Sequence, residues 1–245
     1  MEIDFHKKDI AAKDKSLRYE FKLVCQETAH AQVLMALRLN PAGLSPLYFP
    51  RQVQSIYFDT PHGKSLQDNL AGISHRRKIR FRWYQDPSVE VDGHLEIKVR
   101  ENTLGWKHTL PFQEKVAVEG VRRSDFMSQI RNNLTPAWQV NLDWGMEPVQ
   151  WISYLREYFI SSNGKVRVTV DRNLKSWDQR PNWRLTRKYP TPLPNLIIME
   201  VKCAIGDYDE GHAVVSKLPL VVGKSSKFVM ASSSREGPLF SRLGR

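Results

Sequence analysis

"IRFRWY", residues 79–84, alternates long cations with bulky hydrophobes. With Lys78 in front, Lys78, Arg80 and Arg82 fall on one side of a strand, and Ile79, Phe81 and Trp83 on the other. Such a strand either wets its charged face in bulk water or turns it toward other strands of the same kind. Which of the two holds decides the fold.

The same pattern recurs along the chain. Residues 17–24 set Arg18, Glu20 and Lys22 against Leu17, Tyr19, Phe21 and Leu23. Residues 93–101 set Glu96, Lys98 and Arg100 against Leu95, Ile97 and Val99, and residues 165–173 set Arg167, Thr169 and Asp171 against three valines. In 196–203, Glu200 and Lys202 oppose Met199, Val201 and Cys203. Further period-two stretches lie at 52–60, 106–112, 153–161 and 226–230. Turn residues separate them, and Asn163-Gly164 is the strongest hairpin signal, with Ser161 and Ser162 able to lengthen the loop. Helical spacing is confined to 25–39, 122–134 and 209–218. Eight or nine strands without long crossovers point to an antiparallel barrel or sandwich in one domain, residues 1–245.

Any one charged strand is adequately explained as a solvated sheet face. Repetition of E-x-K and R-x-R, in place of the usual Thr, Ser and Gln, favours convergence. Strands closed with these faces inward would line a channel with cations and a few carboxylates. Like charges at short range repel strongly, so such a channel calls for a polyanion. Arginine offers phosphoryl oxygens bidentate geometry, and spare carboxylates suit a divalent cation. The apolar faces would then point outward and need helices to cover them.

Composition agrees and excludes other classes. The 245 residues carry 37 Lys and Arg against 26 Asp and Glu, a formal charge of +11, which implies an anionic partner. Two cysteines, Cys25 and Cys203, provide neither a disulfide framework nor metal spacing. No run of about 18 apolar residues and no apolar signal core are present, so a cytoplasmic protein is expected. "GKSS" at 223–226 is not a P-loop, because the motif needs glycine where Leu218 stands. Phe81 and Trp83 lie opposite Arg80 and Arg82, which argues against base stacking beside the cations and so against nucleic acid as partner.

Taken in order, "RYEFK", "SIYFDT", "KIRFR", "LEIKVRE", "YLREYFIS", "VRVTVDRN", "IIMEVK" and "SKF" resemble the triphosphate tunnel metalloenzymes of the CYTH-like superfamily. They are most similar to the polyphosphate polymerase domain of the vacuolar transporter chaperone (VTC) complex and its bacterial single-domain relatives. The resemblance covers residues 17–230. It implies a mainly β, α+β fold with flanking helices, closed as an eight-stranded antiparallel tunnel. It implies Mn²⁺ or Mg²⁺ as cofactor and ATP, triphosphate or polyphosphate as ligand. The reaction implied is transfer of the terminal phosphoryl group of ATP to a polyphosphate chain. The same tunnel also permits a triphosphatase or polyphosphatase, and a non-catalytic polyanion- or RNA-binding barrel stays open as a third reading. A membrane-protein partner, with this chain at the inner face of the membrane, is a further arrangement that the resemblance leaves room for.

Carried over by position, the catalytic cations are Lys22, Arg80, Arg82, Lys98, Arg156, Arg167 and Lys227. Arg18, Arg100, Lys202 and Tyr158 join them on the phosphate-binding faces, with a purely structural role for Tyr158 equally open. The metal falls to Glu200, with Glu20 and Glu96 sharing metal and water. Asp171 is read as a pin for Arg167. Hydrolytic members begin E-x-E-x-K, whereas this chain has Arg18-x-Glu20-x-Lys22. A cation therefore replaces the first acid, as in the polymerase-like branch.

Overall fold

The computed structural model describes residues 18–86, 89–101, 104–140, 142, 145–223 and 225–233, so Leu17 lies outside the described residues. Strands dominate. They are β1 (Arg18–Gln26), β2 (Ser45–Asp59), β3 (His75–Tyr84), β4 (Glu90–Val91), β5 (Gly93–Glu101), β6 (Leu104–Pro111), β7 (Val116–Ala117), β8 (Glu147–Ile160), β9 (Val166–Asp178), β10 (Leu196–Ala204) and β11 (Val221–Val222). Helices are α1 (His30–Arg38), α2 (Lys64–Leu70), α3 (Arg123–Asn132), α4 (Pro136–Gln139), α5 (Tyr208–Ser216) and α6 (Lys227–Ser233). Nine strands form one antiparallel sheet in the order β11-β1-β10-β9-β8-β2-β3-β5-β6, and β4 pairs with β7 separately.

The expected closed eight-stranded barrel is not formed. Among the described residues the sheet has nine strands and two edges, β11 and β6, with no ladder joining them. It nevertheless curls. β1 stands second in the order and β5 eighth, six places apart, yet Lys98 Nζ on β5 lies 3.4 Å from Glu20 Oε2 on β1. Ladder bonds need strands about 4.8 Å apart. Here the gap is spanned by two full-length side chains, which hold the strands at side-chain separation. Lys22 Nζ and Lys78 Nζ also donate to Ser225 O (3.1 Å) and Ser226 Oγ (2.9 Å), so a short segment before α6 ties β1 to β3.

The apolar strand faces point outward and are covered. Leu23, Val168, Val170, Met199 and Val201 pack beneath α1 and α5 through Val33, Leu37, Val214 and Val215. Ile79, Phe81, Trp83, Leu95, Ile97 and Trp151 pack beneath α3 through Phe126, Met127 and Ile130. The latter helix starts where expected, with Asp125 in its first turn. A third cluster, with Phe228 and Ala231 of α6 against Val53, Tyr57, Ile152 and Tyr154, packs on the inner face. Phe228 stacks on Tyr57 at 5.0 Å.

Two glycines are geometric requirements. A Cβ at Gly93 would stand 2.2 Å from the Phe81 ring. Gly164, at φ 74°, turns the β8–β9 hairpin through residues 161–165, the longer loop that the two serines allow. Two sequence assignments need correcting. "SKFVM" is helix rather than strand, because Phe228 and Ala231 share one face at spacing three. Cys25 and Gln26 complete β1 instead of starting a helix.

Candidate functional site

The inner face of the curl gathers charge from β1, β3, β5, β6, β8, β9 and β10. Its most saturated part surrounds Glu96, whose side chain is only 4% exposed. Arg80 reaches Glu96 Oε2 through Nε (2.7 Å) and Nη2 (2.5 Å). Arg82 Nη1 (3.4 Å), Lys107 Nζ (3.3 Å) and His94 Nε2 (3.2 Å) meet Oε1. Burial pushes the Glu96 carboxyl up, but Arg80, Arg82, His94 and Lys107 outweigh it and hold the group far below the ordinary carboxylate range. Both arginines are aimed further by tyrosine hydroxyls: Arg80 Nη1 donates to Tyr57 Oη (2.7 Å) and Arg82 Nη2 to Tyr154 Oη (3.0 Å). Both Glu96 oxygens are taken up by these cations and His94, an arrangement that aims the arginine pair.

A second group forms where β8 and β9 meet α6. Arg156 donates to Asp171 through Nε to Oδ1 (2.6 Å) and Nη2 to Oδ2 (2.7 Å), and Lys227 Nζ lies 2.5 Å from the same Oδ2. Asp171 therefore pins Arg156, not Arg167, because these two are direct register partners on β8 and β9. Lys227 keeps its inward aim although it begins a helix.

The third group is looser. Lys22 Nζ lies 3.3 Å from Glu20 and 3.8 Å from Glu200, so one ammonium serves two carboxylates. Lys202 Nζ binds Glu200 Oε2 at 2.5 Å, and Arg156 approaches it at 4.0 Å. Burial pushes Glu200 up, while Lys202, Lys227, Arg156 and Lys22 bring it well below the usual range. Glu20 is lowered more modestly, with burial and Glu200 opposing Lys98, Lys22 and Lys202. Thr169 stands opposite Glu200 in register, and its buried Oγ1 has no hydrogen-bond partner.

The structure thus brings Lys22, Arg80, Arg82, Lys98, Arg156, Lys202, Lys227, Glu20, Glu96 and Glu200 onto one face. Arg18, Arg100 and Arg167 sit on exposed positions at the ends of their strands. Tyr158 is drawn into a ring cluster with Tyr48, and burial pushes its hydroxyl up to about 12. Two contributors escaped the residue patterns, and a third was given no role there. Tyr57 and Tyr154 act through hydroxyls from strands with no charge alternation there. Lys78 was visible in the opening stretch, on the same side as Arg80. Burial, then Lys22, Lys98, Arg76 and Arg80, push its ammonium down to about 7.

Among the described residues, no three His, Cys, Asp or Glu side chains cluster as a metal site. What the face offers instead is two carboxylates sharing one lysine, and an orphan hydroxyl beside them. Hard oxygen donors of this number suit Mg²⁺ or Mn²⁺, which commonly take one or two carboxylates and complete their shell with water and phosphate.

Comparison with known proteins identifies a family. The model of the VTC domain matches residues 6–234. No curated protein sequence matches the chain. Among solved structures, a Vibrio parahaemolyticus protein provisionally described as an adenylate cyclase is similar at 12% identity and TM-score 0.49, over 87% of this chain and 97% of that one. A chain of the Schizosaccharomyces pombe Mediator head module aligns at 11% identity and TM-score 0.38, over 82% and 89%. At these scores neither bears on the chemistry. The family match spans every strand that builds the charged face, and the chain belongs to the VTC-domain family.

Proposed function

We propose that the inner face binds the phosphates of ATP and of a polyphosphate chain, and transfers the terminal phosphoryl group of one to the end of the other. Membership of the VTC-domain family supports a phosphoryl-transfer, polyanion-handling role. The observation that carries the finer reading is the convergence of Lys22, Arg80, Arg82, Arg156, Lys202 and Lys227 on one face whose carboxylates do not balance every cation with a dedicated partner.

Phosphoryl transfer asks for neutralised equatorial oxygens and an aligned donor and acceptor. Arg80 and Arg82, held rigid by Glu96 and the two tyrosines, clamp one phosphate. Arg156 and Lys227, steadied by Asp171, hold the next. Lys22, Lys98 and Lys202 follow the chain toward β1, with Arg18, Arg100 and Arg167 steering it at the rims. A terminal oxygen of the acceptor, ionised at neutral pH, attacks the γ-phosphorus. The bond from that phosphorus to the β–γ bridging oxygen breaks, and ADP leaves. No protein base is needed. Glu200 and Glu20, with Thr169 beside them, would hold Mn²⁺ or Mg²⁺. When bound, that cation would supply charge neutralisation to the phosphates.

Among the described residues no helix is long and apolar enough to cross a membrane. Acceptance of the polymer by a membrane-protein partner is part of the proposal only as the polymer's destination.

The test is incubation of the pure protein with ATP and Mn²⁺, with products resolved on a gel. Long phosphate polymers are expected. Orthophosphate alone, with tripolyphosphate as the better substrate, would assign the face to a triphosphatase instead. Absence of turnover across a broad metal screen would overturn both and leave a polyanion-binding face.

A further inference from the structure

At one rim of the charged face, two strands repeat a step from cation to ring: Arg82-x-Tyr84 on β3 and Arg156-x-Tyr158 on β8. Two residues along a strand advance about 7 Å on the same side of the sheet. Each phosphate-clamp arginine is therefore followed, toward the rim, by a tyrosine. β2 lies between these strands and brings Tyr48 and Arg51, re-aimed by irregularities on either side of Tyr48. Arg51 is the register partner of Arg156, and Tyr48 that of Tyr158.

The four side chains form a platform. The Arg51 guanidinium lies 5.0 Å from the Tyr48 ring, 5.6 Å from Tyr84 and 5.8 Å from Tyr158. Tyr48 meets Tyr158 edge to face at 5.6 Å. Packing alone would hide such rings, yet Tyr48 is 52% and Tyr84 41% exposed, and Arg51 is exposed beside them.

We propose that this rim platform binds the base of a nucleoside triphosphate whose phosphates occupy the adjacent arginine clamp. The inference rests on the phosphate-binding reading of that clamp. The chemistry of the platform fits a flat, neutral π-system attached to an anion. Open tyrosine faces and a guanidinium stack on any base, and the cation-to-ring step leaves the length of a ribose between base and phosphate. Nothing at the platform reads a base edge, so purine and pyrimidine triphosphates should both be accepted, with purines favoured by their larger stacking area.

The experiment titrates the protein by calorimetry with ATP and, separately, with inorganic tripolyphosphate, for the wild type, Tyr84→Ala and Tyr84→Trp. Base stacking predicts that Tyr84→Ala weakens ATP about ten-fold while tripolyphosphate changes by less than about two-fold, and that Tyr84→Trp restores ATP. Should Tyr84→Ala fail to fold, Tyr84→Leu serves the same comparison, because it keeps bulk without a π-face. Equal losses for both ligands would make Tyr84 part of the phosphate clamp and overturn the platform, as would no loss for either. Wild-type protein that binds tripolyphosphate but not ATP overturns the platform alone. Wild-type protein that binds neither overturns the phosphate-binding reading as well.

Discussion

The two ends of the inner face hold their carboxylates differently. Around Glu96 the principal partners are arginines, the acid is 4% exposed, and tyrosine hydroxyls complete the donor geometry. Around Glu20 and Glu200 the partners are mainly lysines, one of which is shared between the two acids, and exposure rises to 20% and 12%. Arginine makes a planar fork that locks direction, whereas lysine is a flexible point charge that exchanges partners at little cost. The Glu96 end is a rigid frame for the arginine pair. The Glu200 end can hand its carboxylates to a cation and its lysines to a phosphate chain. Rigidity and exchangeability on one sheet are what the proposed phosphoryl transfer asks for.

The two ends should differ most at Glu200. Glu200→Gln should reduce turnover by at least about 100-fold, more than loss of an outer-shell partner costs, with tripolyphosphate binding retained. Activity within a few-fold of wild type would remove Glu200 from the metal site. Glu96→Gln should behave oppositely. Removing one partner of a buried ion cluster costs about 3–5 kcal/mol, so urea unfolding should show a large loss of stability. Because Glu96 is held below its unfolded value, its contribution is present above the ordinary carboxylate range and lost as the pH falls through and below it. A stability difference between wild type and Glu96→Gln that does not shrink in acid would show that the frame is not electrostatic.

A smaller effect is expected at Lys78. Burial and the neighbouring cations push its ammonium down to about 7, from 10.5 for an ordinary lysine. Between these values the unfolded chain carries more protons, so this group's contribution to stability rises with pH through that window. A bound polyanion should restore the missing proton. Calorimetry at pH 8 in buffers of different ionisation enthalpy should show tripolyphosphate binding with uptake of about one proton, reduced in Lys78→Met. Identical uptake by both proteins would exclude Lys78 as the acceptor. The smallest effects belong to the exposed rim. Arg18→Ala, Arg100→Ala and Arg167→Ala should each weaken polyphosphate binding by less than about five-fold, with the loss fading at high salt. A larger, salt-insensitive loss would place the altered residue inside the clamp.

Much of this was legible from spacing. Period two assigned Glu20, Lys22, Arg80, Arg82, Glu96, Lys98, Glu200 and Lys202 to common faces, because neighbouring residues on a strand must point to opposite sides. α6 was not legible, since the stretch 226–230, with only three successive apolar residues, Phe228 to Met230, suits strand and helix equally, and Phe228 shows its helical spacing only against Tyr57. Partner choice was equally hidden. Asp171 serves Arg156 because the β8–β9 register sets them opposite, and register is a property of two strands.

What the sequence determined by itself is the local half of the protein: two-faced strands, an excess of cations and the residues that share each side. The tertiary structure decided how far the sheet curls and where it stops. Closure requires backbone ladders between distant strands, and at β1 and β5 the long side chains of Glu20 and Lys98 meet first. It also decided which acids are committed and which stay exchangeable, because that depends on the mix of arginine and lysine brought in from other strands.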